Sequence, residues 1–482
     1  MDWRIPRLAT AAAGVDRLAI APRMNLLVLL IGLRVWASRS PLELLTGLFA
    51  AVSLISFELQ VATWTGAATL PRLVPVNAAI AALLLAASSW RPLAVPAAAT
   101  DRLPARAGLI SVAPWLAPAA LGVLVLALNL ALPLEAADPY HLQRVERIER
   151  IGTLAYDPEA PDPKVNVFGW LYELVLADLR LMPLVGEWVV RLHGVVGLAL
   201  FTLTGAAALQ LVGGSSPLAV GPLVLMPAAF HQFVLVKNDL FGAMPAALAI
   251  AWMVARVGVA GPRETAWAGW LCGLAVAIKL SSAPVMAVYA AVLLIERRDR
   301  RVLAAAAAGA AVGLATGGFF FTLIENARLY GAGLAPYASL GNRTAGVADA
   351  ASSAVRFALS LVDLGLVTRR VWPGRGGWGS TYGLPVIWAG AVTIASARES
   401  RTARRTLWIC SAYWLLFALA YPDADLAHRL ALSPAVVLVV VGAGVEAGNP
   451  AVPAWLRRLE MPVVVLSAGQ ILRSALLYVV RA

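Results

Sequence analysis

Apolar residues in this chain gather into long runs separated by short polar loops, many of them rich in arginine. A run of roughly 17 to 25 such residues can cross a bilayer as a helix, because hydrocarbon offers no hydrogen-bonding partner and a helix satisfies its own backbone. About thirteen runs qualify for reading in this way. They fall at 43–65, 73–90, 109–132, 188–212, 218–236, 239–257, 266–280, 283–295, 303–325, 383–396, 406–421, 429–446 and 461–479. Residues 24–38 form a further apolar piece, interrupted by Arg34, that reads as an interfacial helix or a tilted span.

The segment 266–295 is apolar apart from its middle. A straight helix of that length would reach about 45 Å, too long for one crossing. Lys279, Ser281, Ser282 and Pro284 mark a break, so two spans are expected. With that division the arginine-rich loops alternate as the positive-inside rule requires. The loops around Arg91, Arg102 and Arg106, around Arg256 and Arg263, at 296–301, at 398–405 and at Arg457–Arg458 share one face, expected to be cytoplasmic. The opposite face receives two long loops, 133–187 and 326–382, which hold most of the unusual polar residues. Stretches of that length without a span are uncommon unless they serve a function. The expected organisation is therefore a basic N-terminal segment with extra membrane helices (1–108), a core of spans (109–325) with its first outer loop at 133–187, a second outer loop (326–382), and C-terminal spans (383–482). No short internal repeat is visible. The alanine-rich tract 304–312 is ordinary lipid- or helix-facing sequence, where small residues allow close helix approach.

Composition agrees. Of 482 residues, 60% are hydrophobic and 14% charged, against an apolar share of about 45–50% in soluble proteins; the mean hydropathy is +0.77. The net charge of +12 follows from loop arginines that orient the chain in a bilayer, so no nucleic-acid partner is expected. Cys272 and Cys410 each lie within an apolar run, which argues against a disulfide or a metal-ligand spacing. Residues 1–23 are basic but broken by Asp2, Pro6, Asp16 and Pro22, and do not read as a cleaved signal peptide.

Chemistry is expected on the outer face. Asp138, followed by Pro139 and the amphipathic pattern Leu142, Val145, Ile148, Ile151, reads as a helix N-cap with proline at the first position. Amide donors and the helix dipole keep such a carboxylate ionised, able to orient a hydroxyl or hold a divalent cation but weakened as a base. His141, about one turn on, could share either duty or pack at a surface. Only three lysines occur, Lys164, Lys237 and Lys279, against 36 arginines, and all lie outside the cytoplasmic loops. Lys237 and Lys279 could face one anion, a phosphate being the obvious one. Snorkelling to the headgroups is the alternative for Lys279, and Asp239 could serve simply as the ion-pair partner of Lys237. Arg429, beside His428 at the start of a span, could grip a phosphate bidentately. The second outer loop adds Tyr330, Tyr337, Asn342, Arg343 and the run Trp372 to Trp378, suited to sugar stacking or to an interfacial aromatic belt. No Walker A loop, GxGxxG after a strand, HExxH or GxSxG is present, which removes support from nucleotide-driven pumps, Rossmann enzymes, zincins and α/β-hydrolases.

An acid followed by Tyr140-His141-Leu142-x-Arg144-Val145, then Trp170-Leu171-Tyr172-Glu173-Leu174, then Lys237-Asn238-Asp239-Leu240, then 273–279 ending in Lys279, resembles the GT-C membrane glycosyltransferases, near the protein O-mannosyltransferase and aminoarabinose transferase branch. The likeness in order and spacing covers roughly residues 109–295; beyond it the likeness is architectural, with His428-Arg429-Leu430 similar to the family's late basic residue. The resemblance implies an all-α polytopic protein of a bacterial-type plasma membrane. It would move a sugar, by inverting displacement at the extracytoplasmic face, from a polyprenyl-phosphate donor to a lipid, glycan or protein acceptor. It implies Asp138 as the catalytic acid residue and Lys237, Lys279 and Arg429 on the donor phosphate; His141 is the second catalytic candidate beside it, and Tyr140, Glu173, Asp239, Arg343, Trp378 and His428 are the candidate substrate-binding residues. Metal dependence, with Asp138 as the ligand of a divalent cation, stays open. Relatives carry paired acids or an acid four residues before the tyrosine, where this chain has Ala136 between Glu135 and Asp138, so the identity of the base stays open too. The rival readings are a transporter or flippase for a lipid-linked or anionic substrate, and an inactive membrane scaffold of an envelope-assembly complex.

Overall fold

The computed structural model describes residues 40–64, 113–132, 141–146, 171–173, 176, 191–214, 219–235, 238–331, 333–334, 382–420 and 431–481. Every regular element among them is helical, and no strand occurs. The helices are α1 (Pro41–Trp64), α2 (Ala113–Ala131), α3 (His193–Leu211), α4 (Val220–Val224), α5 (Pro227–Val234), α6 (Asp239–Arg256), α7 (Pro262–Ile278), α8 (Pro284–Glu296), α9 (Arg300–Thr316), α10 (Phe319–Tyr330), α11 (Leu384–Ser396), α12 (Arg401–Ala420), α13 (Leu432–Val441), α14 (Ala454–Arg458) and α15 (Glu460–Arg481). Residues 141–146 are also helical.

Three helices among the described residues are long and apolar enough to cross a membrane: His193–Leu211, Asp239–Arg256 and Ala454–Val480. Counting the bent pair α9 and α10 as one span brings the number to four. Shorter apolar helices surround them, so the about thirteen expected crossings reduce here to an all-helical chain with some helices of membrane-crossing length and apolarity. The expected run 73–90 and the piece 24–38 lie outside the described residues.

Helix α6 is the central post. Its side chains from Leu248 through Met253 are fully buried, and it packs against α3, α7 and α13. A helix apolar on every face belongs in the interior of a bundle, whereas α15 leaves Leu472, Leu476, Val479 and Val480 exposed in the manner of a lipid-facing surface.

The break after α7 turns the chain back. Lys279 adopts an extended backbone, Leu280–Ser282 form a single 3₁₀ turn, and Pro284 opens α8. Far from that turn, Tyr289 Oη donates to the Thr265 carbonyl at 2.5 Å, and Arg297 donates to the Gly258 and Ala260 carbonyls. The end of α8 thus returns to the start of α7, and the two short runs 266–280 and 283–295 are separate antiparallel helices.

Two runs read as single spans are divided. The run 303–325 contains α9 and α10, bent by 60°, and Gly318 sits between them at φ 86°, a left-handed conformation that glycine adopts without steric cost. The run 218–236 contains α4 and α5, separated at Leu225 and Met226, with Pro227 starting the second helix. Helices α7 and α9 approach almost backbone to backbone: a Cβ at Gly273 would lie 2.2 Å from the Ala310 carbonyl oxygen, and one at Gly309 would lie 1.9 Å from that of Ala266. This is the small-residue packing expected where lipid removes the hydrophobic drive for association. Within the alanine tract, Ala306 and Gly309 face this seam while Ala307 and Ala308 are exposed.

The antiparallel order sorts charge to two ends. One, the arginine end, joins the close of α6, the start of α7, the close of α8 and the start of α12. There Arg256 meets Glu264 at 3.2 Å and Arg405 meets Glu296 at 2.6 Å. The other, the lysine end, holds the start of α6 and the turn at Lys279, about 27 Å away along the 18 residues of α6.

Candidate functional site

Two polar groups stand out at or beside the lysine end. The first joins residues 32 and 29 positions apart in the sequence: His141 Nδ1 and Arg144 Nη1 both meet Glu173 Oε1, at 2.5 and 2.9 Å. His141 and Arg144 lie three residues apart on one helical segment, close to a full turn, so they present to the same side. His141 is 1% exposed, Arg144 and Glu173 0%. Histidine as a surface-packing residue is therefore corrected: its imidazole is interior, held by a carboxylate.

Burial alone would push the Glu173 carboxyl up. The Arg144 and His141 charges and the His141 hydrogen bond outweigh that effect, holding the carboxyl below its ordinary range. Glu173 is thus a carboxylate, which can only accept, so His141 Nδ1 carries the proton of their hydrogen bond. The second oxygen, Oε2, is buried and has no hydrogen-bond partner among the described residues. Burying ions costs several kcal/mol each, offset here by mutual attraction; apolar side chains of similar volume would fill the space at lower cost.

The second group is set by helix termini. Asn238 precedes α6, Asp239 opens it, and Lys279 ends α7. Lys279 Nζ meets Asn238 Oδ1 at 2.8 Å and Asp239 Oδ1 at 2.9 Å. A carboxylate in the first turn of α6 is favoured by the helix dipole. Gly242 lets the turn approach: a Cβ there would stand 2.9 Å from Lys279 Cβ. Lys279 is thus doubly engaged at the start of α6, and it is a partner of Asp239. An ammonium has three donors; Asn238 and Asp239 use two, and the 23%-exposed side chain of Lys279 has no third partner among the described residues.

Tyr172 joins the groups. Its ring stands edge-on to His141 at 5.3 Å between centroids and tilted against Phe241 at 4.9 Å. Phe241 is two residues beyond Asp239 on α6, so the segments carrying His141 and Tyr172 and the α6 terminus form one neighbourhood.

Of the residues expected from the sequence, His141, Glu173, Asp239 and Lys279 are brought into this neighbourhood. Asp138, Tyr140, Lys237, Arg343, Trp378, His428 and Arg429 lie outside the described residues. Glu173 was expected near substrate; it is fully buried and engaged with His141 and Arg144. Arg144, Tyr172 and Asn238 were not singled out. The spacing of His141 and Arg144 on one amphipathic segment was the available signal for the first, and the position of Asn238 before a helix was the signal for the last. Tyr172 stood inside the motif Trp170 to Leu174 but without a role of its own, because that role depends on packing against α6.

Among the described residues no group of three or more His, Cys, Asp or Glu is arranged to hold a metal ion. No family model matches the chain, and neither curated proteins nor solved structures yield a match.

Proposed function

We propose that this protein is a GT-C-like glycosyltransferase with about thirteen membrane spans, which moves a sugar from a polyprenyl-phosphate donor to an acceptor at the extracytoplasmic face. The observation that carries the reading is the partly exposed Lys279 ammonium, held by Asn238 and Asp239 with no third partner among the described residues, next to the neighbourhood of His141, Arg144, Glu173 and Tyr172 and opposite the arginine end. A leaving phosphate gains charge as the glycosidic bond breaks, and a fixed cation in a dry site stabilises that charge without reorganisation. In this reading Lys279, with Lys237 and Arg429, meets the phosphate. Asp138 orients or deprotonates the acceptor hydroxyl, and His141, held by Glu173 with Arg144, helps to orient it.

A second reading, an inactive scaffold, is favoured by one observation: both described carboxylates of the neighbourhood, Glu173 and Asp239, are already engaged by cations. Sugar transfer in proteoliposomes from a panel of polyprenyl-phosphate donors separates the two. Wild type should form product, and folded Asp138→Asn should not. Product undiminished in Asp138→Asn removes that acid from the mechanism, and no product from any donor favours the scaffold or a transporter.

A further inference from the structure

The arginine end carries more cationic charge than its own carboxylates neutralise. Glu264 and Glu296 are paired with Arg256 and Arg405, Glu446 accepts from Ser400 and Asn449, and Asp299 caps α9 by accepting from the Arg301 amide. Arg298, Arg300, Arg301, Arg398, Arg457 and Arg458 remain exposed, and none has a carboxylate partner among the described residues. Glu399 is an exposed acid on the same end.

Exposed apolar side chains adjoin these arginines. Leu294 and Ile295 precede the 297–301 cluster, Val259 lies in the facing loop, and Met461 follows Arg458; each is about two-thirds exposed or more. The short helix α14 combines both features. Its Leu456 is buried and its carbonyl accepts from Trp388 Nε1 at 2.9 Å, which docks the helix on α11, while Trp455, Arg457 and Arg458 face outward.

We propose that this end is a binding surface for anionic phospholipid headgroups. A guanidinium presents paired donors that match a phosphodiester, and Trp455 suits the headgroup level of a bilayer. The apolar neighbours decide against an acidic soluble protein. A bilayer covers them with acyl chains while its phosphates meet the arginines, whereas an acidic partner would leave them wet. The inference does not depend on the glycosyltransferase reading.

The test uses the full-length protein in nanodiscs of phosphatidylcholine mixed with phosphatidylglycerol, with the lipid retained after gentle detergent release measured by native mass spectrometry. Wild type should retain phosphatidylglycerol in excess over its bulk share. Arg457→Gln/Arg458→Gln and Arg298→Gln/Arg300→Gln/Arg301→Gln should each lose that excess by about fivefold per arginine, equivalent to ~1 kcal/mol for each basic side chain near an anionic surface. Arg328→Gln, exposed on α10 beside Glu325, should retain the wild-type excess. No excess in wild type, or an excess unchanged in both multiple variants, overturns the proposal. Displacement of the lipid by inorganic phosphate alone also overturns it, by making the site one for a free anion.

Discussion

The two ends of the bundle use charge in opposite ways. At the arginine end the ion pairs are reached by water: Arg401, 72% exposed, stands 3.9 Å from Glu296, and the closer Arg405 pair is itself accessible. Exposed pairs of this kind contribute roughly 0–1 kcal/mol each. In the neighbourhood of the lysine end, His141, Arg144 and Glu173 are buried, and Asp239 is nearly so. A charge placed there costs desolvation whether or not its partner is present. The contrast teaches that the arginine end tolerates substitution, whereas the buried group demands its full complement, an arrangement better suited to holding geometry than to adding stability.

The sharpest way to break this comparison is to remove one buried partner. Arg144→Met should destabilise the protein by about 3–5 kcal/mol by leaving Glu173 as an uncompensated buried charge. Arg144→Met/Glu173→Leu should recover much of that loss, and a double-mutant cycle on thermal unfolding in detergent measures the coupling. Equal losses in the single and double variants would show that packing, not charge, holds this group.

Next in size is Lys279→Ala. If sugar transfer is the activity, loss of one cation aimed at the leaving group should lower kcat by about 10²–10³-fold, while stability changes less because the ammonium is partly exposed. An unchanged kcat in folded protein would remove Lys279 from the donor site.

Acid should separate the ends further. The Glu173 carboxyl is held below its ordinary range in the folded protein, so the unfolded chain binds the proton more readily. Its contribution is therefore present above the ordinary carboxylate range and is lost as pH falls through the lowered folded value. Unfolding followed against pH should show this loss in wild type. In Arg144→Met, without the charge that holds Glu173 ionised, the carboxyl should take up its proton at higher pH. Overlapping acid profiles for the two proteins would contradict the assignment.

The smallest effect is expected at the arginine end, where Glu296→Gln should cost no more than about 1 kcal/mol. A loss comparable to that of Arg144→Met would erase the distinction between the two ends.

Much of the helical layout was legible in the chain. The apolar runs at 239–257 and 461–479 correspond closely to α6 and α15, because continuous apolar sequence leaves the backbone no partner but itself. The break at Lys279 was legible as well, since the length and Pro284 forbade one straight helix. The bend at Gly318 was not, because glycine inside an apolar run is also compatible with close helix packing, the role it plays at Gly273 and Gly309. His141, Glu173, Asp239 and Lys279 could be picked out as polar residues in unusual places, but their partners could not.

By itself, then, the sequence determined an all-helical chain with helices long and apolar enough to cross a membrane, the gathering of arginine in short loops, and the break at Lys279. These depend on local hydrogen bonding, on solvation of each segment and on proline and glycine geometry. Only the tertiary structure decided that Glu173 meets His141 and Arg144, that Lys279 meets Asn238 and Asp239, and that Tyr172 joins the two groups. The polar pairings among these span 29 to 41 residues, and which of many polar side chains meet is set by how the helices pack and turn, a property of the whole bundle rather than of any segment.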